Sequence, residues 1–92
     1  MIDFLVHDDK DNVGVVVVDV KKGQSLRGKT LHGKEVAEVS ALMDIPLGHK
    51  IALQDLKSGD TVIKYGVDIG KVVMSIKTGE HVHVHNLKTK RW

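Results

Sequence analysis

Cysteine is absent from the 92 residues, which excludes disulfide stapling and thiolate metal sites and leaves His, Asp, Glu and Asn to hold any metal. The same absence fits a reducing compartment. Aromatic residues are nearly missing as well: one Phe, one Tyr and one Trp are too few to stack nucleic-acid bases. No run approaches the roughly 20 apolar residues of a membrane span. The apolar start, Ile2 to Val6, meets acidic residues at once, where a secretory signal needs a basic start and a longer apolar stretch. Charge of one sign is not in excess either. A net charge of +2, with acids and bases interspersed, gives no field to draw nucleic acid or membrane, and only Lys88, Lys90 and Arg91 form a basic patch. These absences predict a cytoplasmic chain that binds neither nucleic acid nor membrane.

The hydrophobic content of 41% is mostly Val, Leu and Ile, which predicts a thin aliphatic core in one small domain spanning residues 1–92. Such a core has little room to enclose a polar substrate, so a partner surface is expected. Short β-rich runs between glycine turns dominate, and no stretch keeps a 3.6-residue apolar period over helical length. The chain reads as all-β. Strands are expected at Ile2 to His7, Val13 to Val20, Leu26 to Leu31, Glu35 to Val39, Lys50 to Leu53, Thr61 to Tyr65, Lys71 to Ile76 and His81 to Asn86. The second, apolar on both faces over Val15 to Val18, should be central. A beat recurs in Val20-Lys21-Lys22-Gly23-Gln24, Leu56-Lys57-Ser58-Gly59-Asp60 and Ile76-Lys77-Thr78-Gly79-Glu80. Glycine can take the positive φ of a tight corner, so the beat marks corners of a compact barrel-like fold rather than a duplicated unit. The only proline, Pro46, opens a turn that should present His49 and Lys50 at a strand entrance.

Three of the six histidines stand at alternate positions in His81-Val82-His83-Val84-His85-Asn86, the spacing of one strand face. Val82 and Val84 can then face a core while the imidazoles bind a metal, relay a proton or hold an anion. Same-face neighbours lie about 6.6 Å apart and His81 and His85 about twice that, so one metal takes two of the three unless the strand bulges. The bland reading is a solvated or hydrogen-bonded face. His49 beside Lys50 could bind a carboxylate or move a proton. His7 and His32 have no such neighbours and are assigned nothing. Asp9, Asp11 and Gly14 fail as a calcium loop, because Val13 and Val20 stand where oxygen ligands are required. Gly66 and Gly70 read as turn glycines, without the spacing of a phosphate loop.

The segments Ile45-Pro46-Leu47-Gly48-His49-Lys50-Ile51-Ala52-Leu53, Asp55-Leu56-Lys57-Ser58-Gly59-Asp60, Ile63-Lys64-Tyr65-Gly66, Ile69-Gly70 and Gly79-Glu80-His81-Val82-His83-Val84-His85-Asn86 together resemble the small SAF-type module of the altronate dehydratase family. That family includes altronate and galactarate dehydratases and sulfolactate sulfo-lyase. The resemblance implies a compact β-clip (SAF-like) fold and a small subunit working beside a large catalytic subunit in a β-elimination on a small hydroxy-acid. It also implies a divalent metal, Fe2+, held in the assembled complex. On this reading His81, His83 and His85 are candidate metal ligands, His49, Lys50 and His83 candidate catalytic groups, and His49, Lys50 and Asn86 candidate substrate contacts. The alternative is a noncatalytic module that binds a carbohydrate or a protein.

Overall fold

Valine-rich segments and glycine corners produce nine strands and no helix among the described residues: β1 (Phe4–Val6), β2 (Val13–Val16), β3 (Ser25–Thr30), β4 (Glu35–Ser40), β5 (Lys50–Ala52), β6 (Thr61–Lys64), β7 (Val67–Val72), β8 (His81–Val82) and β9 (Leu87–Lys88). The structure, a computed structural model, describes residues 2–83 and 85–88, and of Ala37 the backbone only. Val84 and the basic end at Lys90 and Arg91 lie outside the described residues. No helix is long and apolar enough to cross a membrane. One sheet runs β4-β3-β1-β2-β5-β8 and a second β6-β7-β9. β1 lies parallel to β3, and the other pairs are antiparallel.

The all-β expectation holds, and β2 is interior, between β1 and β5. It ends at Val16 rather than Val20, because the Val16 and Val17 amides turn to the His49 and Asp3 carbonyls; Val17 is exposed. β7 begins at Val67 instead of Lys71 and takes in Gly70, where a Cβ would lie 2.5 Å from the Lys88 carbonyl oxygen of the facing strand. The core is aliphatic and falls into two clusters. One gathers Phe4, Val16, Val20, Leu26, Ile45 and Ile51; the other gathers Val13, Leu56, Val62, Val72, Ile76 and Val82. The sole phenylalanine packs close to backbone, and a Cβ on Gly28 would come within 2.1 Å of its ring.

The glycine beat is made of corners, as expected, but the corners also share one repeated geometry, and they interlock in pairs. A nine-residue unit occurs four times, at 16–24, 41–49, 52–60 and 72–80, each with a buried apolar residue at its fifth position (Val20, Ile45, Leu56, Ile76). The eighth position is a glycine at φ +90, +87, +97 and +92, a conformation costly for any residue with a Cβ. Val20 bridges Ile45, and Leu56 bridges Ile76. Around each bridge the amides of the glycines bond to the first residue of the opposite unit: Gly23 to Ala41 at 2.8 Å, Gly48 to Val16 at 2.9 Å, Gly59 to Val72 at 2.7 Å and Gly79 to Ala52 at 2.9 Å. Those first residues return a bond to the carbonyl after the glycine (Gln24, His49, Asp60 and Glu80). The acid before the apolar residue caps the opposite corner, Asp19 accepting from the Leu47 amide and Asp44 from the Lys22 amide. Asp55 accepts from the Thr78 amide in the same way. Three corners also cap themselves: Gln24, Asp60 and Glu80 accept, through their side chains, the amides of Lys21, Lys57 and Lys77.

Candidate functional site

The second corner delivers His49 directly into β5. There Ile51 pairs with His81 and Lys50 with Val82 of β8, so the GHK and HVH segments, far apart in sequence, become neighbours by strand register. Val82 points into the core, fully buried, which leaves the flanking imidazoles on the outer side. The expected single strand from His81 to Asn86 does not form. β8 stops at Val82, because the Asn86 amide group donates to the His81 carbonyl at 2.8 Å and its carbonyl oxygen accepts from the His83 amide at 2.9 Å. The Asn86 and Leu87 amides close the turn on the His83 carbonyl. Asn86, read from sequence as a substrate contact, is buried and uses both ends of its amide to hold this bend.

The bend changes the histidine geometry. His81 and His85, expected about 13 Å apart on a straight strand, have ring centroids 5.5 Å apart. The tight cluster, however, is His49, His81 and His83, with one nitrogen of each within 4.8 Å of the others. His49 stacks on His83 at 4.6 Å and 28°, and His81 on His83 at 5.2 Å and 15°. His49 Nδ1 lies 2.9 Å from His81 Nε2. Sequence reasoning placed His83 and His81 in the metal set but put His49 outside it, since its membership depends on the β5–β8 register. His85 is exposed, and the other three rings are half-buried. His7 stands elsewhere, stacked on Tyr65 at 3.9 Å, and His32 is exposed in the turn after β3.

Burial and the surrounding cations disfavour added positive charge on His81, His83 and Lys50. Burial first, then His49, His83, His85 and Lys50, bring the His81 pKa down to about 4, so this ring is neutral at pH 7. Burial, His49, Lys50 and His85 lower that of His83. Lys50 is lowered by burial and by the charge of Lys64. Neutral imidazoles are the protonation state that ligates metal. Two nitrogens each about 2.05 Å from one ion subtend roughly 2.9–3.3 Å at common coordination angles, and the 2.9 Å between His49 and His81 falls in that range. Imidazole ligands carry no charge of their own and would leave a divalent ion its full charge, a setting suited to an anionic ligand.

The chain matches the family model described as the altronate/galactarate dehydratase SAF domain over residues 2–90. It is 56% identical over 92 residues, and over 98% of the relative's length, to the (2R)-sulfolactate sulfo-lyase subunit alpha of Chromohalobacter salexigens. A protein of the same name from Paracoccus pantotrophus is 63% identical over 54 residues, which are 59% of this chain and 81% of that one. The altronate dehydratase of Bacillus subtilis is 41% identical over 88 residues, 94% of this chain but 16% of that much longer protein. With strands, corners and histidines in place, the chain belongs to the altronate/galactarate dehydratase SAF-domain family.

Proposed function

We propose that this chain is the small subunit of a cytoplasmic lyase that eliminates sulfite from sulfolactate, working with a large catalytic subunit. The observation that carries the proposal is the convergence of His49, His81 and His83, in a chain that aligns with nearly all of a relative named sulfolactate sulfo-lyase subunit alpha. The relatives named dehydratases are matched over a small fraction of their length, which favours the sulfo-lyase reading over the altronate one.

The three imidazoles would hold a divalent ion, and imidazole donors suit iron(II) as well as zinc. Such an ion supplies Lewis-acid stabilisation of charge developing on the substrate carboxylate. Lys50, half-buried at the edge of the cluster, offers an ammonium to an anionic group of the substrate and strengthens its hold by partial desolvation. In the elimination the α C–H bond breaks as a base takes its proton, the α–β double bond forms, and the β C–S bond breaks to release sulfite. His85, exposed beside His81, would relay a proton to solvent. The base that meets the α-proton is assigned to the large subunit, because this chain presents its imidazoles on an open face.

Lyase activity on sulfolactate and on altronate, measured for the chain alone, with the large subunit, and with His83→Ala or His7→Ala in the complex, tests the proposal. Turnover is expected from the complex and not from the chain alone, with kcat reduced 100-fold or more by His83→Ala, the scale of a lost acid/base or ligand group, and unchanged by His7→Ala. Full turnover by the chain alone would refute a site shared with a large subunit, and equal mild effects of both substitutions would favour the noncatalytic binding module.

A further inference from the structure

The second corner departs from its three siblings at two positions that belong together. In the others, the residue after the glycine folds its side chain back onto the amide three residues earlier: Gln24 onto Lys21 at 3.1 Å, Asp60 onto Lys57 at 2.8 Å and Glu80 onto Lys77 at 2.6 Å. The backbone bond beneath that cap, from the later amide to the earlier carbonyl, is common to all four, and His49 to Pro46 makes it at 3.0 Å. Only the side-chain cap differs, since proline has no N–H to give. Where the siblings carry Gln, Asp and Glu, the second corner carries His49. Its Nδ1, at the same branch distance from the backbone as the Asp60 oxygen that caps, points instead at His81 Nε2.

We infer that Pro46 is a positioning residue for the histidine site: by withholding the amide that a corner of this kind otherwise offers, it frees His49 Nδ1 to join His81 and His83. The corner keeps its shape through Gly48 at φ +87, the Val20–Ile45 bridge and the Asp19 cap on Leu47, so removing the self-cap does not undo the turn. Proline also fixes φ near −65° at this position, which limits the spread of directions from which His49 approaches. The metal arm of the test rests on the function proposed above; the spectroscopic arm does not.

The experiment compares the full chain with Pro46→Ala and Pro46→Lys by histidine-ring nitrogen NMR and by zinc titration. In both variants the residue-46 amide is expected to donate to His49 Nδ1, so that this ring nitrogen carries an acceptor signature with its proton on Nε2 and its resonance moves as the contact with His81 is lost, and the new amide is protected from exchange. Zinc affinity is expected to fall about 10-fold or more, the loss typical of groups that orient ligands. Unchanged His49 nitrogen signals together with zinc affinity within twofold of the parent would overturn the inference. If the parent chain binds no zinc, the metal reading fails while the ring signals still decide the role of Pro46. Should the variants be too unstable for spectroscopy, a stability cycle replaces them. Pro46→Ala is expected to lower the melting temperature less in a His49→Asp chain, which regains the sibling cap, than in a His49→Ala chain; equal effects would count against it.

Discussion

His81 is held neutral by its surroundings, and this has a sign that can be measured. Its pKa in the fold, about 4, lies below the roughly 6.5 of an unfolded histidine. Above pH 6.5 both states leave the ring neutral, and the full stability is present. Between pH 6.5 and 4 the unfolded chain takes up a proton that the fold refuses, so stability falls as pH falls through that window. Urea midpoints of the metal-free chain, in the presence of a chelator, are expected to drop from pH 7 to pH 4.5 and to drop less steeply in His81→Gln. The same slope in both chains would assign the acid sensitivity to other groups. The residue scale also marks the reach of sequence reading. Alternation along HVHVH correctly suggests that Val82 faces inward, while Asn86 at its end carries a turn signal that alternation alone does not weigh. Asx side chains bond to nearby backbone, and here that local bond outweighs strand propensity in the run.

Among elements, the corner units do most to place the site, and two of their glycines separate two kinds of constraint. Gly23 and Gly79 have nearly the same φ, +90 and +92, but a Cβ at Gly23 would meet nothing within 4 Å while one at Gly79 would stand 2.0 Å from the Ser40 carbonyl oxygen. Gly79 also accepts the Leu42 amide, tying the fourth unit to the second across the molecule. Gly23→Ala is therefore expected to cost about 1–2 kcal/mol, the penalty of a left-handed conformation. Gly79→Ala should cost more, because backbone must move as well. Chemical denaturation of both variants checks the order, and equal costs would mean that the Ser40 segment yields freely. Three corners were legible as a beat because they share Lys and Gly. The second corner does not show the beat, since Pro46 and His49 replace the residues that make the pattern visible, and pairing between corners is a long-range fact that no local spacing states.

For the whole molecule, the all-β class and the aliphatic core followed from composition, and the family followed from ordered motifs. The site's third imidazole did not, because it is brought in by the register of β5 on β8. What that register produces is a half-open face: His49, His81 and His83 are only half-buried and His85 is exposed, so part of any coordination sphere is left to water or to another surface. On the function proposed above, the three imidazoles would hold a divalent ion in the isolated chain. A large subunit that covers the open side, excludes water and adds a ligand or an orienting group should then tighten it. Anaerobic titration of iron(II), with zinc for comparison, is expected to show saturable binding by the chain alone, at least 10-fold tighter binding by the complex, and a loss of about 10-fold or more in both with His49→Ala. Equal affinity for chain and complex would mean that the first coordination shell is complete within this chain, and that the partner contributes to substrate alone. Affinity untouched by His49→Ala would remove this residue from the ligand set, returning it to the role of substrate contact, and would leave His81 and His83 to find their third donor on the partner's surface.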